Sequence, residues 1–299
     1  MNYLSKQFKP YLFAVSAIFF WSTVASAFKL SLEHMEPVQL VFFASIFSTL
    51  AFFVILLIQN KLSLVMKLEK ADFVRYFFLS LLNPFLYYII LLNAYKLLPA
   101  QEAMAINYSW VIMMAILSMP ILKQKVTFQT FIAITVSYLG VIVIATNGEP
   151  FSFKFTNILG VTYALLTTVI WATFWLFNTR EKKDSVVSLF VIFLFSIFFL
   201  SLAMIISPTH KTITLDGLIG SAYIGLFEMG VTFFLWQSAL SLSSNVTKIT
   251  TLAFLTPFMS LLVIYIVLGE VILLSSVLGI LLIITGLIIQ KYFLGKNIK

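Results

Sequence analysis

The chain of 299 residues contains no cysteine, which excludes disulfides, thiolate catalysis and cysteine-bound metal. Charge is scarce. Asp, Glu, Lys and Arg make up 10% of the residues, where a soluble domain carries about 25%. Histidine occurs only at His34 and His210, in unrelated contexts, and no His/Cys/Asp cluster has metal-ligand spacing. A Gly-rich phosphate loop and a G-x-S-x-G elbow are both missing. No pair of intramembrane aspartates points to a protease. An enzyme is therefore not expected, and neither is a metal or cofactor. With no ATP-binding motif, any uphill process has to draw on a gradient. No stretch is polar enough, over enough residues, to form a separate soluble domain.

What is abundant is apolar: 61% of the residues are hydrophobic. That composition cannot make a water-facing surface, and it predicts an all-α membrane protein in contact with lipid. Runs of about 20 apolar residues cross a bilayer. They are read at 10–30, 37–58, 73–95, 100–121, 127–146, 157–178, 184–207, 215–238, 246–268 and 272–293. Lys6 and Lys9 before an apolar run, with Ala25-Ser26-Ala27 after it, resemble a secretory signal. The run is nearly membrane length, so an uncleaved first helix is the expectation. With the N-terminus in the cytoplasm, only Lys29, Lys96, Lys154 and Lys211 of the 19 basic residues fall outside. That positive-inside bias supports ten spans with both termini cytoplasmic. It also accounts for the net charge of +8 without a nucleic-acid partner.

Ionisable and amide groups inside the spans carry the functional signal. A charge at the centre of a span costs roughly 2.5–3.5 kcal/mol on insertion scales, so it marks a candidate site. Glu228 lies mid-span. It is a proton-coupling or substrate-amine site, or else a residue that only fixes packing. Lys248 opens the ninth span, as a partner for a substrate carboxylate or as a lysine snorkelling to the interface. Counted from Ser243-Ser244, Glu228 lies about 15 residues deep and Lys248 about 4, at 1.5 Å per residue. Ideal straight helices keep them apart, whereas a shallower turn or a tilt closes the gap. Trp21, Trp110 and Trp171 fall well inside their spans, with Asn107 and Tyr108 nearby, and are read as cavity wall in preference to packing. Asn83, Asn93, Gln101, Asn178 and Gln237 fit interhelical hydrogen bonds. Pro257 and Pro84 each mark a static kink or a hinge.

The two halves echo one another. Trp21-Ser22-Thr23 corresponds to Trp171-Ala172-Thr173, and Ala94-Tyr95-Lys96-Leu97 to Ala239-Leu240-Ser241-Leu242. Asn107-Tyr108-Ser109-Trp110 falls on Ala253-Phe254-Leu255-Thr256, and Gly140 on Gly286. Five spans per copy is odd, so the repeats at 1–148 and 149–299 must enter the membrane in opposite senses. A substrate site is then expected near the midplane between them.

On these motifs the chain resembles the drug/metabolite transporter superfamily, in its EamA family. The carrying residues are Trp21–Leu30, Ile106–Trp110, Phe227–Trp236, Thr247–Thr250, Phe254–Phe258, Leu268–Glu270 and Gly279–Gly286. Val111 departs from the pattern where a proline is expected, and Lys123-Gln124 stand where the second half has Gly269-Glu270. The resemblance implies a ten-helix inverted repeat exporting, less often importing, small metabolites such as amino acids. It also lends Lys29 the role of an outer gate beside that of a snorkelling residue. The expectation is an inner-membrane secondary transporter working by alternating access. The binding set is Trp21, Asn107, Tyr108, Trp110, Trp171, Glu228 and Lys248; Lys29 and Pro257 serve as gate and hinge. A drug or nucleotide-precursor exporter and a non-transporting assembly or receptor protein are the competing readings. No oligomer is implied.

Overall fold

A computed structural model describes residues 3–122, 128–151, 155–178, 183–207, 211–243, 249 and 252–294. Among them every regular element is helical. Among the described residues six helical runs are long and apolar enough to cross a membrane: Phe8–His34, Pro37–Ile58, Lys70–Leu97, Ile158–Asn178, Ser185–Ile206 and Leu215–Leu240. Shorter apolar helices cover Phe131–Ala145, Thr256–Leu268 and Leu274–Ile289. Large side chains such as Phe78, Phe198, Ile205, Ile206 and Leu274 are exposed along these rods. Apolar faces of that extent need lipid. The protein is a multi-pass helical membrane protein.

The helices are α1 (Tyr3–His34), α2 (Pro37–Ile58), a short α3 (Leu62–Val65), α4 (Lys70–Ser80), α5 (Tyr87–Leu97), α6 (Ala100–Asn107) and α7 (Trp110–Leu122). Then come α8 (Phe128–Ala145), α9 (Ile158–Asn178), α10 (Ser185–Ile206), α11 (Leu215–Ile224), α12 (Val231–Leu242), α13 (Thr256–Leu268) and α14 (Leu274–Leu294). Several expected continuous spans are jointed. A kink at Asn83-Pro84, where the Asn83 backbone is extended, joins α4 to α5, and a π-helical turn, Gly225–Gly230, joins α11 to α12. The 59–72 link is partly ordered by α3 and by a capping box at Glu69, whose backbone N–H is taken by Asp72 at 2.9 Å.

The chain divides into two compact units. The first comprises Met1–Ile89 and Lys182–Val263, the second Ile90–Glu181 and Ile264–Lys299. Both therefore draw on segments from either side of residue 148. In the first unit α2 packs on α10 through Phe52–Phe193, with ring centroids 5.4 Å apart, and α1 packs on α12 around Ala14, Ala239 and Ile249. Asp184 caps α10 through Val186 and Val187 N–H and holds Lys61 at 2.7 Å. Lys183 bonds Asp72 at 3.2 Å, and that contact raises the lysine's pKa. The Lys211 ammonium donates to the Leu32 and Glu33 carbonyls, satisfying the C-terminal end of α1.

In the second unit α8 and α14 pack closely and run antiparallel. A Cβ at Gly140 would lie 2.5 Å from the Gly279 carbonyl oxygen, and one at Gly286 would lie 2.5 Å from that of Ala133. Small residues thus let two backbones approach, as lipid-embedded helices do where no hydrophobic effect draws them together. The N-terminus of α6 is capped from outside its own segment. Glu270 accepts from Ala100 N–H at 2.8 Å and Gln101 N–H at 3.3 Å. Gln101 in turn bonds the Val271 carbonyl, the Leu273 N–H and the Ser276 hydroxyl.

Candidate functional site

In the first unit, the widened turn at Gly225–Gly230 positions Glu228. Two glycines admit α2: a Cβ at Gly225 would meet Phe47 at 2.8 Å, and one at Gly230 would meet Ala51 at 3.2 Å. A π-turn disturbs the regular ladder, and side-chain hydroxyls take up carbonyls there. Ser48 Oγ donates to the Gly225 carbonyl at 2.7 Å, and Thr232 Oγ1 donates to that of Phe227. Such repairs allow an irregular helix to persist in lipid, and π-turns recur at functional sites.

Glu228 is 8% exposed, so it is held within protein and not presented to acyl chains. Tyr88 OH donates to its Oε1 at 3.0 Å from the start of α5. Aromatic rings surround this region. Phe28 lies edge-on to Tyr88, with centroids 6.3 Å apart, and Phe20 stacks on Phe227 at 4.6 Å. Tyr223 reaches Phe227 at 5.1 Å and shares a 2.6 Å hydrogen bond with Thr23. Trp21, next to Phe20 on α1, is half-buried and lies 5.3 Å from Trp236 on α12.

The other expected residues are distributed as follows. Trp110 and Trp171 meet in the second unit with centroids 6.2 Å apart, and Asn107 donates to Thr167 there at 2.9 Å. Tyr108 lies in the break between α6 and α7. Lys29 is half-buried near the end of α1. Pro257 sits in the first turn of α13, directly after a 3-10 turn at Ala253–Leu255. At that position its missing N–H leaves no intrahelical bond broken. Lys248 lies outside the described residues, as do Lys123 and Gln124.

Sequence reasoning missed Tyr88 and also a second carboxylate. Glu102, in the first turn of α6, is 2% exposed. An acid three residues past Pro99 at the start of an apolar run was a legible signal.

A helical bundle faced with apolar side chains, with a buried acid on a distorted turn, has the build of a membrane transporter. The sequence profile of the EamA-like transporter family matches the chain twice, over residues 8–146 and 158–290, and the chain belongs to that family. It is 28% identical over 178 residues to an uncharacterized transporter of Clostridium kluyveri, covering 57% of this chain and 56% of that protein. It is 27% identical over 172 residues to an uncharacterized transporter in the sor 3' region of Acidianus ambivalens, covering 56% and 65%. The matched stretch thus spans less than two thirds of either relative. A solved crystal structure superposes with a TM-score of 0.68 over 96% of this chain and 98% of its own, at 17% identity. At that identity the likeness concerns the fold.

Proposed function

We propose that the protein is a secondary transporter of the inner membrane that exports small amphipathic metabolites, amino acids foremost, by alternating access. Ten crossings form two inverted repeats, 1–148 and 149–299, with both termini cytoplasmic, and the repeats rock about a midplane site. The double match to the family profile supports this arrangement, as does the antiparallel α8–α14 pair with Gly140 and Gly286 in matched register.

The observation that carries the reading is Glu228: a buried carboxylate with Tyr88 as donor, on a π-turn walled by aromatic rings. A carboxylate in that setting binds a substrate ammonium or carries a coupling proton. Lys248, at the start of the ninth span, is assigned the substrate carboxylate or the inner end of its path. The test is counterflow of labelled amino acids in liposomes containing the purified full chain. Glu228→Gln is expected to abolish flux, or to make it independent of the proton gradient, while the protein still inserts. Wild-type flux with wild-type pH dependence in that variant would remove Glu228 from the mechanism. Absence of flux for every metabolite tested would favour a receptor or assembly role.

A further inference from the structure

The stretch from Lys61 to Arg75, K-L-S-L-V-M-K-L-E-K-A-D-F-V-R, interleaves cations with apolar residues. It forms α3, the link after it and the first turns of α4, and both helices pack against α10. A cleft lies between this stretch and the start of α10, lined by Leu64, Lys67, Leu68, Lys183, Asp184 and Val187. All six residues belong to the first compact unit. The cleft measures about 110 Å³. A site that encloses a drug-sized molecule holds roughly 300–1,000 Å³, so this one takes only the end of a larger molecule.

The acids around the cleft already have cations. Asp184 holds Lys61 at 2.7 Å, and Lys183 reaches Asp72 at 3.2 Å and Glu69 at 3.7 Å. Lys67 and Lys70 form no ion pair among the described residues. Five cations, Lys61, Lys67, Lys70, Arg75 and Lys183, therefore stand against three acids, and the patch is positive. Lys70 is moreover the first residue of α4, the positive end of the helix dipole, where a cation is disfavoured unless an anion lies near.

The apolar residues of the stretch are not tucked away. Met66, beside Lys67, is 88% exposed, and Ile58, at the end of α2, is 75% exposed. Phe73 and Val74 on α4 are exposed as well. Apolar side chains presented next to cations at the end of a span suit the bilayer interface, where the first meet acyl chains and the second meet headgroups. A basic cleft between helices at that level suits an acidic headgroup.

We propose that this cleft binds a phospholipid with an acidic headgroup, its phosphate held by Lys67 with Lys183 at the same rim, and its acyl chains against the exposed apolar side chains of the stretch. A lipid seated there ties the link between α2 and α4 to the start of α10. The topology proposed above puts the site in the cytoplasmic leaflet, but the cleft and its charge stand without it.

The test uses the full chain in a neutral detergent, titrated with phosphatidylglycerol or with phosphatidylcholine, and reads the melting temperature. Phosphatidylglycerol is expected to raise it saturably, and phosphatidylcholine at the same mole fraction is not. Lys67→Gln is expected to move the midpoint of the phosphatidylglycerol response to about fivefold higher lipid, the worth of one lysine at a charged surface. Lys67→Arg is expected to keep the wild-type midpoint. Lys9→Gln removes the same charge from an exposed position on α1 and is expected to leave the midpoint where it was. Inorganic phosphate, which has no chains to bury, is expected to stabilise nothing. Equal stabilisation by the two lipids, a wild-type midpoint in Lys67→Gln, or equal shifts in Lys67→Gln and Lys9→Gln would each overturn the site. Stabilisation by inorganic phosphate as large as that by lipid would make the cleft a free-anion site and overturn the assignment to lipid.

Discussion

At the scale of single residues, the proposed site turns on a pair that only one partner announced. Glu228 stood out in the sequence because a carboxylate in a long apolar run needs a reason. Tyr88 did not, because a tyrosine among so many aromatic residues reads as ordinary packing, and its partner is 140 positions away. The phenol is the donor that compensates a buried acid, and removing one side of such a bond exposes the desolvation cost of the other. Tyr88→Phe is expected to lower stability by about 1–2 kcal/mol and to cut counterflow about tenfold. Thermal unfolding in detergent and flux in liposomes measure the two effects. A variant with unchanged flux would confine Tyr88 to a structural part. Glu102 shows the opposite limit. Its presence early in an apolar run was readable, but its burial was not. Burial depends on what α8, α9 and α14 place around it.

At the scale of helices, small residues decide where backbones meet. The Gly140–Gly286 correspondence was legible as a weak echo between halves. The contact was not: Gly140 lies against Gly279, and Gly286 against Ala133 and Ser137. Ser137 Oγ completes the seam with a 3.2 Å bond to the Ile283 carbonyl. A methyl added at Gly140 has backbone in its way, and backbone cannot rotate aside as a side chain does. Gly140→Ala is expected to destabilise the protein by about 1–3 kcal/mol. The drop would be read as a lower melting temperature, while Leu139→Ala, on an exposed position of the same helix, changes it little. A Gly140→Ala protein as stable as wild type would mean that α8 and α14 can separate at no cost. The π-turn at Gly225–Gly230 was not legible either. Gly225 and Gly230 read as ordinary span glycines until α2 was seen lying against them, with Ser48 bonded to the freed carbonyl.

At the scale of the whole molecule, the proposed topology yields a direct test because the chain lacks cysteine. A single cysteine at Ser63, in the link before α4, is expected to react with a membrane-impermeant maleimide only from the cytoplasmic side. One at Glu149, after α8, is expected to react only from outside. Labelling of both from one side would break the count of crossings between them. The compact units make a second point at this scale. Each is assembled from segments of both sequence halves, so chain order and spatial grouping differ. Helices in lipid associate by fit of small residues and hydrogen bonds, and those do not respect adjacency along the chain.

Composition and the length of the apolar runs were enough to define a helical membrane protein, and the paired motifs were enough to reach its family. These features are local or additive, so they survive without coordinates. The π-turn that carries Glu228, the bond from Tyr88 and the cap that Glu270 places on α6 were settled by tertiary structure alone. Each depends on a group far along the chain arriving at hydrogen-bond distance, and no periodicity in a sequence encodes which rod will lie beside which.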